Sequence, residues 1–323
     1  MTTPPLNISV IDPVGRALDR VKLVLFQPFD LGKWFVIGFC AWLAFLGEGG
    51  GGGGPHFNFP SGGSRHGHSA RHELERAWDF IVGNLYWIIP LVAALVVLGF
   101  VLWVVFTWLS SRGRFMFLHC VALNQAQVVE PWGQYSREGN SLFLFRIVLG
   151  LISMVLILPL VVVGVVVGWR LFMAGRPTVP GILGLVAVVL SVIVLAIVFA
   201  LIENLTKDFV VPLMYVRRRR CRECWGELLG LLRAYPGEFI LWLLFQIVLG
   251  LAIGVLVLVV IVLTCCCACC LLALPYLGTV LLLPVLVFER SYSLYYLAQF
   301  GPPYDAFKVA GSPPAFGSLP SGA

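Results

Sequence analysis

Long stretches without charge, separated by short mixed ones, set the pattern of this chain. Leu142 to Trp169 carries one charge, Arg146, near its start; Gly181 to Ile202 carries none; and Phe239 to Phe288 is a run of fifty residues with no charged side chain. About 18–25 apolar residues cross a bilayer, so a run of fifty must turn back on itself. The pattern predicts six helical spans, roughly 33–47, 80–109, 142–169, 181–203, 239–262 and 268–288. The first, KWFVIGFCAWLAFLG, is short for a crossing and demands little tilt or a locally thinned bilayer. The second contains Pro90, which lacks a backbone N–H and predicts a kink or a later helix start.

Composition removes the soluble alternative. Hydrophobic residues make up 59% of the 323 and charged residues only 12%, against about a quarter charged in a soluble domain. The opening MTTPPLNISVIDPVGRALDRVK has no apolar core close behind its first basic residues, so a cleaved signal is not expected and the first hydrophobic segment is retained. Charge then orients the spans. Counting Lys33 at the edge of the first span, the segments on one side of the six-span scheme hold sixteen Lys or Arg and those on the other hold five, with Arg146 just inside the third span. This bias predicts a cell-membrane protein with both termini and the two long basic loops, 112–141 and 204–238, in the cytoplasm.

These loops have a common plan. Each carries a Trp-Gly pair (Trp132 and Gly133, Trp225 and Gly226) and leads into a span containing the string IVLGL, at 147–151 and 247–251. A looser copy, ALDRVKLVLFQPFDLGKWFVIGF, precedes the first span. The expected fold is therefore all-α and polytopic: a single membrane domain over 1–309, made of three parallel helix-plus-hairpin units, about 14–109, 114–203 and 208–288. A flexible outer loop over 48–76 and a disordered tail over 310–323 complete it. In the second basic loop the apolar positions from Val210 to Tyr235 fall mostly three or four apart, which predicts an amphipathic helix in the headgroup plane. Its arginines, Arg217, Arg218, Arg219, Arg220 and Arg222, are candidates for anionic-lipid contact at about 1 kcal/mol each, with Trp225 as interfacial anchor.

The chemistry-bearing residues give few other leads. A basic cluster can bind nucleic acid, but no aromatic platform surrounds this one. Cys221 and Cys224 have zinc-like spacing; the second pair they would need has only His119 and Cys120 as cytoplasmic candidates. Five cysteines between Cys265 and Cys270 are read as small packing residues at a tight turn, ahead of a redox or metal role. His66, His68 and His72 lie in a glycine-rich linker. Arg146, Arg170, Glu203, Asn204, Glu289 and Arg290 fall within a turn or two of predicted boundaries, where long side chains reach the interface. No catalytic residue, cofactor or metal is expected.

The stretches LFQPFDLGKWFVIGFCAWLAFLGEGG and LPYLGTVLLLPVLVFERSYSLYYLAQFGPPYDAF resemble the signatures of a family of uncharacterised bacterial multi-pass membrane proteins known as a domain of unknown function. The helix-plus-hairpin unit is more loosely similar to membrane domains fused to glycerophosphodiester phosphodiesterases. The resemblance implies the architecture and no activity. The expectation is a non-enzymatic scaffold, lipid-organising element or accessory subunit, partnered by anionic lipids and by another membrane protein or a second copy, without nucleic acid. The alternative is a transporter or channel for a neutral or lipid-like substrate. A cleft lined by Ser, Thr, Asn and Gly would favour the alternative; a solid Leu/Val centre would weaken it.

Overall fold

The computed structural model describes residues 8–46, 83–173, 178–264 and 274–311, helical almost throughout and with no strand among them. The outer loop over 48–76, the Cys265–Cys270 cluster and residues 312–323 lie outside the described residues.

Among the described residues four helices are long and apolar enough to cross a membrane: α3 (Leu85–Leu123), α5 (Ser136–Met173), which follows the short α4 (Val129–Gln134), α6 (Val179–Leu205) with its inward extension through α7 (Val211–Arg217), and α9 (Pro236–Leu263). They match four of the six predicted spans, but three of them run much further than a crossing needs. At 1.5 Å per residue the 39-residue α3 is about 58 Å long, nearly twice the hydrocarbon thickness. Residues 114–123 and 208–217, expected to begin interfacial helices, are instead inward continuations of α3 and α6. The remaining two expected spans look different. α2 (Leu31–Phe45) has 15 residues. The region of the last span is two helices, α10 (Pro275–Leu281) and α11 (Leu283–Ala298), broken at Leu282. Pro284 causes the break: without an N–H it cannot continue the ladder, and it sits at the start of α11, where no N–H is needed.

Burial divides the molecule. Outer positions such as Val96, Val155, Leu190 and Leu258 are exposed, while the core gathers at the other end of the long helices. There α1 (Asp12–Val21) lies against α11, and α2 packs along α3. The two end segments meet directly: Gln299 Oε1 accepts from Ser9 N at 2.7 Å, and Tyr292 donates to the Val10 carbonyl at 3.2 Å. Residues 8–10 and 292–299 therefore lie on the same side of the molecule. Further in, Tyr135 stacks on Tyr215 and Phe115, and Phe209 meets Trp242 edge-on at 4.7 Å.

Polar side chains close the helix ends within this core. Asp30 caps α2 by accepting from Gly32 N at 2.8 Å. Asn124 ends α3 in the left-handed region, and Lys33 Nζ donates to its Oδ1 at 2.8 Å. The Arg20 guanidinium takes the last α3 carbonyls, Val121 and Ala122, at 2.9 and 2.6 Å, a cation at the negative end of the helix.

Candidate functional site

α5 packs against both α3 and α6, and a cavity of about 440 Å³ lies where the three helices separate. Its walls change character along the helices. Towards the exposed apolar ends it is lined by Trp103, Leu149, Gly150, Ser153 and Phe199; towards the core, by Thr107, Arg114, Arg146, Glu203, Asn204 and Lys207. Counted from the far end of each helix at 1.5 Å per residue, Arg114, Arg146 and Glu203 lie about 36–42 Å in. That is further than the thickness of a hydrocarbon layer, about 30 Å. Trp103, Ser153 and Phe199 lie about 26–30 Å in.

A hydrogen-bonded chain fixes the polar end. Arg146 donates to Glu203 Oε1 at 3.1 Å and to Ser110 Oγ at 3.0 Å, and Ser110 donates to the Ala44 carbonyl at 2.6 Å. Arg114, almost fully buried, lies 3.6 Å from the same Glu203 oxygen. One carboxylate thus faces two guanidinium groups. On the third wall Thr206–Val210 forms a π-helical turn, with Val211 N donating to Thr206 O. The sequence explains it: Pro212 has no N–H for the Asp208 carbonyl and its ring crowds that group, so the turn widens. The widened turn carries Lys207, whose Nζ sits over the Phe45 ring at 4.7 Å. The Lys207 carbonyl accepts from Arg290 at 2.7 Å. A small void of about 20 Å³ beside it is shared by Arg114, Lys207, Asp208, Glu289 and Arg290. Burial pushes Glu289 up from the ordinary carboxylate range and lowers Arg290 to about 10, with Asp208 opposing the second effect.

The expected arginine site divides. The helix predicted over 210–235 is interrupted at 218–220, and only α8 (Cys221–Ala234) is a separate amphipathic helix. Arg217 pairs with Glu227 at 2.8 Å. Arg218, in the left-handed region, covers the Tyr135 ring at 3.8 Å and donates to Gln134 O at 3.1 Å. Arg219, Arg220 and Arg222 are exposed. Trp225 is half-buried against Phe145, 5.8 Å between ring centroids. Cys221 and Cys224 both face the core, where burial pushes their thiols up to about 12. His119 Nδ1 lies 3.0 Å from the Tyr215 hydroxyl, and Cys120 Sγ is 3.9 Å from Cys40 Sγ. Among the described residues no group of three or more His, Cys, Asp or Glu is placed to share a metal ion.

The profile of a family of unknown function (DUF7544) matches residues 8–280. The chain belongs to this family. The matched region contains all three walls of the cavity, and the family carries no assigned activity to transfer to it. No curated protein and no solved structure matches the chain.

Two of the boundary residues are joined by an ion pair that the sequence reading did not assign. Arg146 and Glu203, expected at span ends with side chains reaching the interface, pair with each other at 3.1 Å, Arg146 largely buried and Glu203 partly exposed. The signal available was their opposite charge at the inner ends of two adjacent predicted spans, together with Arg114 nearby.

Proposed function

We propose that the protein is a non-enzymatic, lipid-organising membrane protein. Its core sits at the cytoplasmic headgroup layer of the cell membrane, and its long helices pass through the bilayer. The observation that carries this reading is the division of burial: exposed apolar helix halves on one side, and on the other a core ringed by basic side chains. The excess of Lys and Arg in the core-side segments supports the cytoplasmic orientation. The contact between residues 8–10 and 292–299 supports an even number of crossings, which the four long helices supply, with α2 and the α10 region packed on the core beside residues 113–124 and the chain reading as three related units. Arg219, Arg220 and Arg222 contact anionic headgroups beside α8, and the partner is lipid, with a second copy or another membrane protein at the exposed helices.

The test is lipid retention. The protein is reconstituted in nanodiscs of equal phosphatidylglycerol and phosphatidylcholine, extracted in mild detergent, and its retained lipid measured by mass spectrometry. Excess phosphatidylglycerol that falls by at least half in the Arg219→Gln/Arg220→Gln/Arg222→Gln variant is expected. A retained composition equal to the bulk would overturn the reading.

A second reading, transport of a lipid-like substrate, is favoured by one specific observation. The cavity is lined by Thr107, Gly150, Ser153 and Asn204, the small polar set expected of a pathway. Movement of fluorescent lipid between leaflets of proteoliposomes, at a rate above that of protein-free vesicles, is its test.

A further inference from the structure

Between α7 and α8 the chain breaks at 218–220, and beside the first turn of α5 this break leaves a separate cavity of about 80 Å³. Six side chains line it: Arg137, Glu138, Arg218, Arg219, Arg220 and Glu223. Its walls are fixed. Cys221 N donates to Ser141 Oγ at 3.0 Å, which ties the head of α8 to α5, and Arg218 donates to the Gln134 carbonyl at 3.1 Å while covering the Tyr135 ring at 3.8 Å. The volume exceeds the about 10–15 Å³ that one water needs and is far below the about 300–1,000 Å³ of a site that encloses a whole small molecule. It suits one polar fragment of a larger ligand.

Glu138 defines part of that fragment. Its side chain is 8% exposed, Oε1 lies 3.9 Å from the Arg218 guanidinium, and the buried Oε2 has no hydrogen-bond partner among the described residues. A buried carboxylate oxygen without a donor is costly, and a charged donor satisfies it best. The opposite need stands across the cavity. Among the described residues the side chains of Arg137, Arg219 and Arg220 make no hydrogen bond or ion pair, and α8 opens there without a side-chain cap. A lone anion would meet Glu138 and Glu223; a lone cation would meet four guanidinium groups. A fragment carrying both charges a few atoms apart satisfies both walls. A phosphodiester accepts from guanidinium groups and suits a helix N-terminus, and a primary ammonium on a short arm donates to the carboxylate. A trimethylammonium has no N–H for Oε2, and a glycerol hydroxyl brings no positive charge.

We propose that this cavity binds a phosphoethanolamine group, with its phosphate on Arg219 and Arg220 and its ammonium on Glu138 Oε2. The assignment rests on the lipid-organising reading, in which Arg219 and Arg220 meet headgroups, and adds to it the selection of one headgroup by a buried carboxylate. Phosphatidylethanolamine and soluble glycerophosphoethanolamine carry the same chemistry.

The test uses the full chain in nanodiscs of phosphatidylglycerol, phosphatidylethanolamine and phosphatidylcholine in equal parts, extracted in mild detergent, with the retained lipid measured by native mass spectrometry. The wild type is expected to retain phosphatidylethanolamine about tenfold over phosphatidylcholine, the factor that one charge-assisted hydrogen bond gives. Glu138→Gln removes the charge and keeps the shape; it should abolish that preference and leave the phosphatidylglycerol excess in place. Titration of the protein in detergent with glycerophosphoethanolamine separates the sources. Saturable binding that Glu138→Gln loses, without retained phosphatidylethanolamine, assigns the site to a soluble ligand, and retained phosphatidylethanolamine assigns it to lipid. Size-exclusion elution at the wild-type position shows that Glu138→Gln is folded, and the wild-type measurements alone carry the test if it is not. Neither retention nor binding in the wild type, or both unchanged in Glu138→Gln, overturns the assignment. A phosphatidylglycerol excess that persists beside that result leaves the lipid-organising reading standing. Glycerol phosphate binding as tightly as glycerophosphoethanolamine overturns the role of the ammonium.

Discussion

Replacing Gly113 with alanine tests whether the core is assembled by the close crossing of α2 and α3. A Cβ at Gly113 would lie 2.6 Å from both Ala44 N and the Leu43 carbonyl carbon, and 2.9 Å from Leu43 O. Ordinary contacts between such atoms are about 3.5–4.0 Å. The clash is with backbone, which cannot rotate away as a side chain can, so α2 must retreat by about 1 Å. Overpacking of this kind costs about 1–3 kcal/mol. The retreat also stretches the 2.6 Å bond from Ser110 to the Ala44 carbonyl, and a buried polar group left unsatisfied costs about 1–3 kcal/mol more. Alanine returns roughly 1 kcal/mol through its better helix propensity. The net loss is therefore roughly 1–5 kcal/mol, and at about 2 °C per kcal/mol for a chain of this size the melting temperature falls by about 2–10 °C. Melting in mild detergent, followed by fluorescence-detected size exclusion, is the assay. Gly99→Ala on the same helix, where a Cβ meets open space, is the control and should be neutral or slightly stabilising. Gly38→Ala should fall between them, because its Cβ meets the Val280 Cγ2 methyl at 2.7 Å and a methyl can give way. Equal melting of Gly113→Ala and Gly99→Ala would refute the crossing.

Three further outcomes follow from the same contacts. Glu203→Gln leaves two guanidinium groups facing each other without their carboxylate; because Glu203 is 47% exposed the loss is about 1–3 kcal/mol, below that of a fully buried pair, and Arg146→Met in the same chain should recover part of it, unless the pair contributes nothing. Arg20→Ala removes the cation from the α3 carbonyls and should cost about 1.5–3 kcal/mol in thermal melting, with Arg16→Ala, on the same helix, near neutral as the comparison. The Cys221 and Cys224 thiols, pushed up to about 12, should react with maleimide at pH 8 on the order of a thousandfold more slowly in the folded protein than after denaturation. Because their folded pKa lies above the unfolded value of about 8.5, the stability they contribute is full below that pH and is lost as pH rises towards 12. The Cys221→Ala/Cys224→Ala variant should therefore show a shallower alkaline loss of stability, and an identical pH profile would count against the burial of these thiols.

Charge-free runs determined, from sequence alone, that the chain is helical with segments long and apolar enough to cross a membrane, because hydrocarbon excludes charge and demands that each backbone group be satisfied within its own helix. They located α3, α5, α6 and α9 for that reason. The inner ends were a different matter. The mixed apolar and polar residues at 114–123 and 208–217 suit an interfacial helix as well as the inward continuation of a span; in the structure 114–122 and 209–215 are buried on every side, and contact with Tyr135 and α11 decides it. Pro284 was legible as an interruption, but whether it kinks a crossing or separates two helices depends on what α10 and α11 pack against. The same holds for the charges. Arg146 and Glu203 are 57 positions apart and each, alone, reads as an interfacial side chain. Only the packing of α5 between α3 and α6 brings them to 3.1 Å and places Arg114 and Lys207 around them. A span is a property of one segment in its solvent, so one sequence reveals it. A site made by three helices depends on which faces meet and at what depth, and that is decided by tertiary packing.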